Sequence, residues 1–164
     1  MTRISFLSAL ALSGLATAQT ASPLKIQLEQ ALVTTVKQDG KVVEQLVALP
    51  PAVRPGDVLQ QTATVRNVGR SAAGANVVVP VPNGTGYGGR PTAASARWKL
   101  VFSADGGKTF ASEPLKQTVT TTENGKTVTR EVVVPPSRYT HVRWNVGSIS
   151  PDETLKFNFR VQVK

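Results

Sequence analysis

Few side chains in this 164-residue sequence could take part in bond-making chemistry, and their spacing argues against it. His141 is the single histidine. It lies on the outward row of an alternating run, beside Arg143, where a histidine is ordinarily a solvated side chain and not a general base. No serine has a histidine and an acid arranged around it by motif. Asp152-Glu153 is an adjacent acidic pair in a turn, where capping is the common use and a calcium contact the rarer one. Cysteine is absent, and no His or carboxylate groups recur at metal-ligand spacing. Gly84-Thr85-Gly86-Tyr87-Gly88-Gly89-Arg90 is glycine-rich like a phosphate loop, but no Gly-Lys-Ser/Thr follows and no helix begins there. It reads as a flexible loop offering a contact surface. The expectation is a protein that is not an enzyme and uses no cofactor and no metal.

Charge offers a different kind of site. Nineteen Lys and Arg stand against ten Asp and Glu, a formal net charge of +9. Such a balance suits anionic partners. The cations are spread along the chain, which argues against a nucleic-acid reader that would cluster them with aromatics on one face. Arg97, Lys99, Arg143, Lys156 and Arg160 fall on outward strand rows and are the candidates for binding an anionic polysaccharide. Sugar platforms also need flat rings in solvent. The two tryptophans point inward, leaving chiefly Tyr87 and Tyr139.

The elements that must position these groups are strands. Phe157, Phe159, Val161 and Val163 alternate with Lys156, Asn158, Arg160, Gln162 and Lys164, the signature of a half-buried strand. Val142, Trp144 and Val146 alternate with His141, Arg143 and Asn145. Trp98, Leu100 and Phe102 alternate with Arg97 and Lys99. Leu59, Ala63 and Val65 form a thinner inward row, with Thr62, Thr64 and Arg66 outside. Trp98, Trp144, Phe157 and Phe159 are therefore the expected core. Between the runs lie turn residues: Pro50-Pro51, Arg54-Pro55-Gly56-Asp57, Asn67-Val68-Gly69, Asn83-Gly84, Gly88-Gly89 and Ser150-Pro151-Asp152. Many short strands parted by such turns predict an all-β, antiparallel sandwich.

Two extended hairpins stand out, with Asp39-Gly40 inside residues 31–48 and Asn124-Gly125 inside 117–134. Both dipeptides favour the two-residue loop whose twist matches the strands. Gly40 to Pro51 and Gly125 to Pro136 are identical at six of twelve positions, which marks similar build and is too short for a duplicated domain. In the second hairpin Thr118, Thr120, Thr122, Thr127 and Thr129 make one face hydroxylic, while the other carries only Val119, Val128 and Val132. Such a ribbon cannot bury much, so it is expected to project or to lie on a sheet edge, a docking ribbon for a partner strand.

The first 18 residues read as a secretory signal: Arg3, an apolar run from Ile4 to Leu15, and Ala16-Thr17-Ala18 for a peptidase. The run is too short for a spanning helix. Cleavage after Ala18 would leave a single domain over 19–164, with its core over 56–164, no transmembrane segment, and no cysteine to carry a lipid anchor. The expected location is the periplasm, cell surface or medium.

Several short motifs occur in an ordered series: Gly56-Asp57-Val58-Leu59, Thr64-Val65-Arg66-Asn67-Val68-Gly69, Ala75-Asn76-Val77-Val78-Val79 and Pro82-Asn83-Gly84-Thr85. Trp144-Asn145-Val146-Gly147 and Ser150-Pro151-Asp152-Glu153-Thr154 then lead into the last strand. This series resembles the conserved-repeat domain of bacterial surface proteins (domain of unknown function eleven type), in a single copy spanning Gly56 to Val163 with an insertion between Arg90 and Ser137. The resemblance implies an immunoglobulin-like sandwich in cell-envelope, S-layer and adhesion-related proteins, with no catalytic residues. Its expected partner is another envelope or S-layer protein, bound through sheet edges and loops. In such a motif Asn67 would bond the backbone at a strand end, Gly69 would take positive φ, and Pro151-Asp152 would launch the final strand.

Ser103-Ala104-Asp105-Gly106-Gly107-Lys108-Thr109-Phe110 resembles the Asp-box, Ser-x-Asp-x-Gly-x-Thr-aromatic, of sialidases and other β proteins. That resemblance implies a structural hairpin in which Ser103 and Asp105 satisfy turn N–H groups, Gly107 and Thr109 complete the loop, and Phe110 plugs the core. The catalytic groups of a glycosidase are missing.

Overall fold

The computed structural model describes residues 22–48, 50, 52–123 and 126–164. The signal expected over 1–18 and the Asn124-Gly125 turn lie outside the described residues. The chain forms β1 (Leu24–Gln38), β2 (Lys41–Ala48), β3 (Val58–Asn67), β4 (Ala73–Pro80), β5 (Thr85–Gly89), β6 (Trp98–Ser103), β7 (Lys116–Glu123), β8 (Lys126–Val133), β9 (His141–Ile149) and β10 (Thr154–Val163). A 3-10 turn over Pro136–Arg138 is the one helical element among them. No helix among the described residues is long and apolar enough to cross a membrane.

The strands build a five-stranded sheet in the order β2-β1-β3-β10-β5, a three-stranded sheet β4-β9-β6, and a separate ribbon β7-β8. All neighbouring pairs are antiparallel. The chain crosses between the two larger sheets at β3 to β4, β4 to β5, β5 to β6 and β9 to β10, which makes it an all-β, immunoglobulin-like sandwich.

Alternation explains the core. Along β10 Phe157, Phe159 and Val161 are buried, as are Val142, Trp144 and Val146 on β9 and Leu59, Ala63 and Val65 on β3. Trp144 stacks on Phe157 with ring centres 5.2 Å apart and donates its indole N–H to Thr92 O at 2.9 Å. Trp98 sits at the rim, half-buried: it meets Phe157 edge-on at 5.2 Å and its N–H reaches Ala93 O at 2.8 Å.

Several expectations need correction. The first hairpin pairs Ala31–Gln38 with Lys41–Ala48, but its first strand is longer than expected: β1 starts at Leu24 and its first half pairs with β3. Gly84–Arg90 is not a loop: Thr85–Gly89 is a strand on β10, with a bulge between Arg160 and Val161. Tyr87 on that strand is 8% exposed and Tyr139 3%, so neither is a solvent-facing ring. The two pack on each other and on Phe102 with ring centres 5.3 to 5.5 Å apart, and burial pushes both phenols above their ordinary pKa. Gly69 does not take positive φ. It is glycine for space, since a Cβ there would lie 2.6 Å from Pro23 Cβ.

The sheets differ in width, five strands against three, so β1 and β2 overhang the smaller sheet. Ile26 and Leu28 lie directly opposite Val65 and Ala63 and so share their inward face, yet they remain 55% and 57% exposed. At the far end of this overhang, Asp39 (φ 51°) and Gly40 (φ 76°) adopt the paired positive φ that a type I′ hairpin turn requires.

Candidate functional site

The Asp-box residues form one closed loop. Ser103 Oγ donates to Asp105 Oδ1 at 2.7 Å and accepts from Gly107 N at 2.9 Å. Asp105 accepts from Lys108 N at 3.1 Å, from Thr109 N at 3.0 Å and from Thr109 Oγ at 2.6 Å. The loop is shut by reciprocal backbone bonds between Phe102 and Ala111 and tied to the neighbouring strand by Gly106 N on Thr140 Oγ at 3.1 Å. The Thr109 hydroxyl, followed by the loop N–H groups and Ser103, holds the Asp105 carboxyl well below the usual carboxylate range.

The loop stabilises itself, and its buried serine is not a free nucleophile. Ser103 Oγ is buried and committed to Asp105, while His141 Nδ1 lies 3.1 Å from Thr140 Oγ and not on Ser103. His141 is half-buried, so it is not the freely solvated side chain expected. Gly107 packs over its ring: a Cβ there would sit 3.3 Å from the imidazole. Phe110 does not plug the core. It lies outside the smaller sheet, with the Arg143 guanidinium 4.0 Å from its ring centre and His141 edge-on at 6.4 Å. Arg and aromatic rings favour such stacking when partly desolvated.

Because the folded Asp105 pKa is depressed, its hydrogen bonds support the fold above the ordinary carboxylate value and are lost only as pH falls through the lowered one. Asp105 followed by NMR should therefore titrate well below the ordinary value of about 3.9. A midpoint near that value would contradict the loop geometry.

The cations singled out by pattern do not converge. Arg97, Lys99 and Arg143 lie on the outer side of the smaller sheet, whereas Lys156 and Arg160 lie on the outer side of the larger one. Three of the five are engaged. Arg97 pairs with Glu153 at 2.8 Å, Arg143 is stacked on Phe110, and Arg160 makes two bonds to Glu44 at 2.9 and 2.6 Å. The Arg160 guanidinium holds the Glu44 carboxyl below its ordinary pKa, and Arg90 approaches the same carboxylate at 3.3 Å. Two strands separate β2 from β10, so Glu44 meets Arg160 only because the long β1-β2 ribbon coils over the outer face.

The acidic pair is also structural. Glu153 accepts from Ser150 N at 2.9 Å as well as from Arg97, and the Ser150 N–H is the main reason its pKa is lowered. Asp152 pairs with Arg66 at 3.2 Å. Among the described residues no three His, Cys, Asp or Glu side chains gather where a metal could bind.

The features open to a macromolecule are strand edges. The β7-β8 ribbon pairs with no other described strand. Its register puts Thr118, Thr120, Thr122, Thr127 and Thr129 on one face and Val119, Val128 and Val132 on the other. It is rooted by Leu115 and Val134, both buried and joined by Val134 N on Leu115 O at 2.8 Å. A cavity of about 170 Å³ separates this root from the Asp-box, lined by Phe102, Thr109, Leu115 and Val134 among others. No family model matches this chain, and no curated protein or solved structure matches it.

Proposed function

We propose that this chain is a non-catalytic, exported cell-envelope module of the conserved-repeat kind, which binds another envelope or S-layer protein through strand edges and loops. The observation that carries this reading is the β7-β8 ribbon, anchored at Leu115 and Val134 and unpaired along both flanks among the described residues. A flank of that kind accepts a partner strand through backbone hydrogen bonds, with side-chain pockets setting specificity. The bond-dense Asp-box beside the ribbon root gives it a rigid base. Export rests on the leader pattern of residues 1–18. The split placement of Arg97, Lys99, Arg143, Lys156 and Arg160, with three of them already engaged, weighs against a polysaccharide site.

A photo-crosslinking residue at Thr120 should trap a discrete envelope protein in cells, and the same residue at Lys156 should not. Trapping that is equal at both positions, or retention only on acidic polysaccharide and released by salt, would reject this reading in favour of electrostatic capture.

A further inference from the structure

A second open edge has a symmetry of its own. β3 pairs with β1 over Leu24–Leu32, and β2 pairs with it only over Ala31–Gln38. The flank of Leu24–Gln30 that faces away from β3 therefore pairs with no described strand, and the Leu24 N–H meets only its neighbour Ser22 Oγ at 3.3 Å. Backbone direction on this flank can be read from the neighbours. Asn67 N and O bond Glu153 and Asp152, towards β10, while Val68 N bonds Pro23 O, towards β1. Alternation then turns the N–H and C=O groups of Leu24, Ile26, Leu28 and Gln30 outward, towards the open flank. These residues also carry the two exposed inward-face side chains, Ile26 and Leu28.

The seven residues read Leu-Lys-Ile-Gln-Leu-Glu-Gln, centred on Gln27. Turned antiparallel about that centre, the segment complements itself. Lys25 falls opposite Glu29, Ile26 opposite Leu28, Gln27 opposite Gln27 and Leu24 opposite Gln30. Charges oppose on the outer face and apolar side chains meet on the inner one, the pairing that stabilises antiparallel neighbours. Lys25 has further reason to welcome a carboxylate, because its partner across β3 is Arg66, a like charge. Glu29 is held on the outer face by Gln27, whose amide donates to it at 3.0 Å.

We propose that the Leu24–Gln30 flank pairs with the same flank of a second copy, about a two-fold axis through Gln27, joining the two five-stranded sheets into one. The occupant is a second copy because the charge order and the centre of the free window coincide on one residue. Such an isologous contact closes on itself and stops at two chains. It covers an edge that would otherwise invite indiscriminate strand addition.

Sedimentation velocity on the purified protein over a concentration series tests this. The mass should rise from one copy to two and no further. K25E should weaken association at least about tenfold, because the two-fold axis turns two attractive contacts into two repulsive ones. It should not harm the fold, since the new carboxylate would face Arg66. E29K should act like K25E, and K25E/E29K should recover the wild-type constant to within about threefold. Leu28→Pro removes an N–H that faces the open flank and bonds nothing among the described residues, and should leave a folded monomer by circular dichroism. A wild-type protein that stays monomeric at every concentration would overturn the proposal, as would single charge reversals that associate like wild type. A Thr120 crosslink obtained on a strictly monomeric protein would reject the dimer and keep the envelope reading.

Discussion

Trp144→Ala should cost the domain about 3–5 kcal/mol, the largest effect expected of any single truncation here. The indole is fully buried, stacked on Phe157 at 5.2 Å and near Phe159 at 6.3 Å. Its loss removes the biggest side chain of the fully buried set and leaves a void between the two sheets. It also strands a backbone acceptor. Trp144 Nε1 bonds Thr92 O, and Thr92 in turn bonds Asn158 through its N–H to the carbonyl and through its hydroxyl to the Asn158 N–H. The irregular passage from β5 to β6 is thus stapled to β10 through this one residue. Trp144→Phe separates the two contributions: it keeps most of the apolar contact and loses the hydrogen bond, so an intermediate cost of about 1–3 kcal/mol is expected. Urea unfolding followed by far-ultraviolet circular dichroism measures both. A cost below about 1 kcal/mol for Trp144→Ala would mean that the sandwich is not packed around β9 and β10 as described.

What could be read from the sequence, and what could not, divides by the range of the interaction. Strand identity was legible wherever side chains alternate strictly, as in Phe157–Val163 and His141–Val146, since one sheet face must be apolar for the sandwich to close. The Asp39-Gly40 turn was legible because few residues other than such a pair tolerate two successive positive φ angles. Most of the Asp-box was legible too, since Ser103, Asp105 and Thr109 bond groups within four residues of themselves.

Four features were not. β5 was hidden because glycines replace the side chains that would show alternation. One of them, Gly88, packs where a Cβ would lie 3.2 Å from the Arg160 carbonyl, beside the bulge. Without that alternation Tyr87 reads as a surface ring, whereas it is buried. The motif implies an inward Phe110, whereas its place on Arg143 depends on how the loop lies over β9, 33 residues further along the chain. The Glu44 contact with Arg160 spans 116 residues and follows from the coiling of the β1-β2 ribbon. Leu24–Gln30 differs: its alternation is plain in the sequence and Ser22-Pro23 stands just before it, but no turn parts it from the hairpin strand that begins at residue 31.

Asn67→Ala should cost about 3 kcal/mol, more than its small size suggests, because it strands several buried backbone groups at once. Asn67 is fully buried at the end of β3. Its amide donates to Ser71 O at 2.9 Å and Ile149 O at 2.8 Å, and its Oδ1 accepts from Gly69 N at 2.9 Å. Its own N–H and C=O bond Glu153 and Asp152. One side chain therefore fixes the turn after β3 and ties it to the end of β9, while its backbone seats the corner before β10. The sharper test is Asn67→Asp, nearly the same shape with both amide donors gone. At neutral pH a carboxylate would face two carbonyl oxygens away from water, so this change should cost more than Asn67→Ala. Burial raises the folded pKa of the new carboxyl above its unfolded value, so the folded state binds the proton more tightly. Stability of the variant should then increase as pH falls through that raised pKa and level off below the unfolded value near 4, relative to wild type measured alongside. Equal costs for the two variants at pH 7, with no recovery on acidification, would show that the amide donors of Asn67 do not hold this corner.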